Sequence, residues 1–107
     1  MSRDEPATAA ELTLSIAEAI ETAEGLALTS VARGDYSQSE IISERLTPNL
    51  MQAKLYAEIS MTSAPEIISG IAEATAVASD LADIDSKYSP LLSMLRRLRE
   101  AVSRNLS

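Results

Sequence analysis

The sequence predicts an all-α fold: an antiparallel bundle of three or four helices, or a helical hairpin, with a long C-terminal helix bent near Pro90. Two observations carry this. Apolar residues recur every three or four positions along most of the chain, which is the period of an amphipathic helix. Glycine and proline are few, three and four in 107 residues, and they fall where helix starts and stops belong. A third observation limits the core: hydrophobic residues make up 46%, yet many are alanine, aromatics are 3%, and Phe and Trp are absent. Large rings cannot fill such a core, so its helices must approach closely or borrow apolar surface from a partner. The length suits one domain, which buries roughly two-thirds of the surface its unfolded chain exposes. Residues 1–5 are expected to be disordered and 6–107 to fold.

The first helix is expected from about Pro6 to Arg33, with Leu12, Ile16, Ala19, Ile20, Ala23, Ala27 and Val31 on its inner face. Asp4, Glu5 and Glu11 suit the positive end of its dipole, and Gly34 suits a left-handed C-cap. Gly25 inside it costs about 1 kcal/mol relative to alanine, which a kink or a close helix crossing would rationalise.

Ser37 and Glu40 in "SQSE" have the spacing of a capping box, and Thr47-Pro48 looks like a cap followed by proline at the first helical position. These signals predict a short helix from about Gln38 to Leu46, a bend, and a helix from Pro48 to about Met61; one kinked helix is the alternative. Leu46, Leu50, Leu55 and Ile59 form the expected inward stripe.

A turn at "TSAP" precedes the third region. There Ile67, Gly70, Ala74, Val77, Leu81, Ile84, Tyr88, Leu91, Leu95, Leu98 and Val102 alternate steps of three and four, a heptad series longer than four heptads. Its unbroken phase across Ser89-Pro90 favours one helix bent at the proline, which removes a backbone hydrogen bond at a cost of about 3 kcal/mol. Two helices with Ser89 as a cap are the alternative. Gly70 and Ala74 admit a close neighbour near the start of the series, and the leucines at its end require more room.

Histidine and cysteine are both absent. That removes disulfides, thiol chemistry, zinc sites, Ser-His-Asp and Cys-His systems and the usual neutral general base. No enzyme activity, cofactor or metal is expected. Asp80, Asp83 and Asp85 lack the glycine and glutamate positions of a calcium loop, and Glu40 and Glu44 lack the histidines of a bundle-type di-metal site. "RGD" at Arg33–Asp35 coincides with a helix end, where glycine has a backbone role. Thr47-Pro48 and Ser89-Pro90 have the form of proline-directed phosphorylation sites and equally of helix starts or bends.

Net charge is −7 and unevenly placed: from Lys87 onward five cations stand against Glu100, a net of +4 that leaves −11 for the remainder. With an acidic surface and few aromatics, nucleic-acid binding is disfavoured. No apolar run reaches the roughly 18 residues of a membrane span and no signal-peptide pattern opens the chain, so a cytoplasmic protein without a membrane partner is expected. Arg96, Arg97 and Arg104 suit the negative end of a helix dipole. Arg99 flanks the heptad seam, where partners are selected. The adjacent pairs Ile41-Ile42, Leu50-Met51, Ile67-Ile68 and Leu91-Leu92 widen the apolar face, either as an ordinary core or as a groove with adaptable methionines.

Together these features point to a small non-enzymatic interaction module that binds a partner helix. Its predicted partner-binding residues are Leu91, Met94, Leu95, Leu98, Arg99 and Val102. An adaptor, an antiactivator and a secretion-type chaperone each fit. The alternative is a self-assembling structural subunit, a homo-oligomer joined through the same face.

Overall fold

The computed structural model describes residues 9–59 and 64–106. Helix α1 spans Ala9–Ala32, and its end is built by glycine. Gly34 has φ +82°; its N–H donates to the Val31 carbonyl (3.0 Å) and that of Asp35 to the Ser30 carbonyl (2.8 Å). These two bonds make a Schellman motif, which satisfies carbonyls the helix leaves over. The inner face holds Leu12, Ile16, Ala19, Ile20 and Ala23 as expected, but Val31 is exposed and Ser30 is buried in its place.

The chain re-enters a helix at once. Helix α2, Tyr36–Ile41, runs through a π-helical turn, Ile42–Leu46, into α3, Thr47–Ile59, without leaving helical backbone. Two expectations are corrected here. The N-cap of α2 is Asp35, which makes no side-chain capping bond, so Ser37 and Glu40 lie inside the helix. Thr47 does not start a new helix; the kinked single helix is the form observed. The reason is proline chemistry: Pro48 offers no N–H, and its ring crowds the carbonyl four residues back. The π turn widens the coil just before it, with the Thr47 N–H bonded to the Ile42 carbonyl. Asn49 Nδ2 then donates to the Arg45 carbonyl at 2.6 Å.

Helix α4 spans Ala64–Ile84 and α5 spans Ser89–Leu106, joined by a 3₁₀ turn at Ser86–Tyr88. The single bent helix is therefore corrected to two. A continuous helix over residues 64–106 would be about 64 Å long, and the longest dimension of the molecule is 40 Å. The breaker is Asp85, not Pro90. Asp85 is extended (φ −147°, ψ 123°) and its Oδ1 accepts from the Lys87 N–H at 3.0 Å, which starts the 3₁₀ turn. Pro90 falls in the first turn of α5, where its missing N–H is not needed. The heptad phase is thus shared by two separate stripes. Ile84, at the break between them, is 64% exposed.

Helices α1, α3, α4 and α5 close an antiparallel four-helix bundle in which each packs on the next, α5 returning to α1. One core runs through it, from Ile16 and Ile20 through Leu46 and Leu50 to Ile71, Leu81, Leu91 and Leu95. It is closed by small residues where α3 crosses α4. A Cβ on Gly70 would lie 2.8 Å from the Asn49 carbonyl oxygen and 3.1 Å from Ala53 Cβ, the close approach expected at this end of the third region. The inward line runs from Leu46 of the π turn to Leu50, Ala53 and Ala57 of α3, and Leu55 and Ile59 point outward. From Leu50, steps of three and four reach the two alanines; Leu55 lies half a turn away. The expected disorder of residues 1–5, Asp4 and Glu5 of the expected first turn, and Met61 with Thr62 and Ser63 of the expected turn lie outside the described residues.

Candidate functional site

The predicted partner-binding residues divide by burial. Leu91, Leu95, Leu98 and Val102 are buried in the core of the single chain, Met94 is half-buried against that core, and Arg99 is exposed. The burial follows from the hairpin: Asp85 turns the chain, and α4 packs on α5 over its apolar stripe. Of the other α5 arginines, Arg96, Arg97 and Arg104 are exposed as well. Among its described side chains, the outer face of α5 is thus charged and carries no exposed large apolar residue.

Where the two described turns meet, a polar cluster joins three elements. Tyr88, fully buried, donates its hydroxyl to Gln38 Oε1 (2.9 Å) and shares a 2.7 Å hydrogen bond with Ser30 Oγ. Beside it, the Lys87 ammonium stands 5.3 Å from the centre of the Tyr88 ring, 3.7 Å from Asp85 and 3.9 Å from Asp35. It is buried and makes no hydrogen bond among the described residues. Ser30 and Gln38 hold the Tyr88 hydroxyl and Asp35 faces the Lys87 ammonium, so the cluster clasps the α1 turn to the α4–α5 turn. Among the described residues no three acidic side chains converge as a metal site: Asp80 and Asp83 are exposed on α4, and Asp85 serves the turn.

Depressions lined by the described residues include these two. The smaller, about 270 Å³, lies where α3 crosses α4, lined by Asn49, Gln52, Pro65, Glu66, Ser69 and Gly70. It is the polar edge of the Gly70 crossing. The larger, about 560 Å³, runs between α1 and α3. From α1 it is lined by Ala17, Ile20, Glu21 and Glu24, and from α3 by Met51, Lys54, Leu55 and Glu58. Its apolar part is Ala17, Ile20, Met51 and Leu55; its rim is charged.

The local sequence explains why this groove is open. On α3 the inward positions are taken by Leu50, Ala53 and Ala57, which leaves Met51, Leu55 and Ile59 on the outer side at steps of four, 54%, 53% and 69% exposed. On α1 the outer ridge carries Leu14, Ala17, Glu21, Glu24 and Leu28 at alternating steps of three and four, with both leucines exposed. Two apolar-edged ridges thus flank one trough. Sequence reasoning missed its α1 wall and placed Leu55 and Ile59 inward; the signal available was the Leu50-Met51 pair, whose second member widens the apolar face. Lys54 pairs with Glu58 across one helical turn (3.4 Å), and among the described residues Glu21 and Glu24 have no ion-pair partner.

Among the described residues, no helix is long and apolar enough to cross a membrane. Comparison with known proteins gives no significant match to any protein family, to any curated protein or to any solved structure.

Proposed function

We propose that this chain is a small non-enzymatic interaction module that takes up a helix of another protein in the groove between α1 and α3. The observation that carries the reading is that Met51 and Leu55, both exposed, line one side of this trough, with Ile59 exposed one turn further along the same helix face. Helix-in-groove recognition needs apolar anchors spaced by helical turns on a preformed wall, and these residues have that spacing. Met51 adds a side chain that adapts to partners of differing shape. The absence of His and Cys, and the occupation of the buried Tyr88 hydroxyl by two hydrogen bonds, support a binding role over a chemical one.

The test is affinity capture from the source cell with the wild-type chain and with a Met51→Asp/Leu55→Asp variant in parallel. A protein retained in stoichiometric amount by the first and lost by the second supports the reading. Identical capture by both chains would place binding elsewhere and overturn it.

A further inference from the structure

We infer that the helix held in the α1–α3 groove is a basic amphipathic one belonging to a different protein: an apolar stripe for the floor, flanked by lysine or arginine for the rim. The inference rests on the groove reading above and adds the chemistry of the occupant. The lining contains three carboxylates against one ammonium, and that ammonium, on Lys54, already faces Glu58. Glu21 and Glu24 stand on one wall, exposed and without an ion pair among the described residues. A helix that laid apolar residues on Met51 and Leu55 would bring its flanking positions alongside them. Cations there gain two partners, and acids there meet uncompensated like charge. The acidic balance of the whole chain, −7, draws a cationic segment toward this surface before contact.

The same chemistry sets aside a second copy as the occupant. Pairing the groove with itself brings Glu21, Glu24 and Glu58 against their own counterparts. The exposed basic face of α5 offers Arg96, Arg97 and Arg99, but Leu91, Leu95 and Leu98 point inward, and among the described side chains of α5 no large apolar one is exposed to seat on Met51 and Leu55. The lined stretch runs from Ala17 to Glu24 on α1 and from Met51 to Glu58 on α3, about 10 Å or two turns of an opposing helix.

The test uses two fluorescent 18-residue peptides with one leucine stripe at helical spacing, the remaining positions all lysine in one and all glutamate in the other. Each is titrated with the full chain and followed by anisotropy. The lysine peptide is expected to bind, to weaken as salt rises from about 0.05 to 0.5 M as the Debye length shortens, and to lose binding to Met51→Asp/Leu55→Asp. That variant is more acidic than the wild type, so undiminished binding to it would show general charge attraction and overturn the inference. Glu21→Lys/Glu24→Lys is expected to weaken the lysine peptide about tenfold, the sum of a few exposed pair energies, and to strengthen the glutamate peptide. Equal binding of both peptides, abolished by Met51→Asp/Leu55→Asp, overturns the basic preference and leaves the groove reading standing. Binding of neither overturns the inference, and the capture experiment then judges the groove alone. A dimer of the chain by sedimentation, dissolved by Met51→Asp/Leu55→Asp, overturns it in favour of a second copy.

Discussion

Tyr88 is the residue on which the fold is most exposed to a small change. Its ring fills space that Phe and Trp fill in other proteins, and its hydroxyl is held by Ser30 and Gln38, far away in sequence. Removing the hydroxyl leaves Ser30 Oγ buried without that partner, which costs about 1–3 kcal/mol. Tyr88→Phe is therefore expected to lower stability by that amount in urea titration. Adding Ser30→Ala removes the stranded group and should recover part of the loss, so that the double variant is more stable than the two single losses predict; simple additivity would show that the hydrogen bond does not couple them. The glycines give a second contrast at this scale. At Gly70 a methyl would meet a backbone carbonyl that cannot move aside cheaply, so Gly70→Ala is expected to cost about 1–3 kcal/mol. At Gly25 nothing lies within 4 Å of the added Cβ, so Gly25→Ala is expected to stabilise the chain by about 0.5–1 kcal/mol through helix propensity. Thermal unfolding of the two variants, opposite in sign, checks both.

At the scale of elements, the parts that periodicity governs were legible in the sequence and the parts that depend on local backbone chemistry were not. The inner faces of α1 and α4, and the glycine stop after α1, follow from spacing and from the one residue that tolerates positive φ. The two proline sites misled in opposite ways. Pro48 suggested a boundary and sits within a continuous helix, because a π turn absorbs the missing hydrogen bond. Pro90 suggested a bend and lies just inside a new helix, because Asp85 had already turned the chain with its own carboxylate. In both places the deciding interaction is a side-chain or backbone bond that hydropathy does not encode. The groove was hidden for a related reason. Leu55 and Ile59 were read as inward on bulk, yet the Gly70 crossing needs a small residue, Ala53, on the inner line, and the bulky ones turn outward. The apolar stripe of α5 was legible from its spacing; that α4 of the same chain packs over it depends on a tertiary fold-back that periodicity does not encode.

At the scale of the whole molecule, the chain has two apolar surfaces of similar chemistry and opposite status, and stability measurements separate them. The α5 stripe is part of the single core. Placing carboxylates at Leu95 and Leu98, both buried, desolvates charge without a partner, at about 3–5 kcal/mol per site. The sum is comparable to the entire stability of a domain this size, about 5–15 kcal/mol. Leu95→Asp/Leu98→Asp is therefore expected to lose its helical circular dichroism and its cooperative thermal transition. The α3 row bears no such load: Met51 and Leu55 are half exposed already, and surface substitutions change stability by about 0.5 kcal/mol or less each. Met51→Asp/Leu55→Asp is expected to keep wild-type helicity and to unfold within a few degrees of the wild type. If both variants unfolded, the α1–α3 trough would belong to the core and could not receive a partner. If both stayed folded, α5 would be free to leave the bundle, and its leucines would again be candidates for an interface. The expected pattern, collapse of the first and persistence of the second, assigns Leu91, Leu95, Leu98 and Val102 to holding the molecule together and leaves Met51, Leu55 and Ile59 as the apolar surface that folding alone does not use.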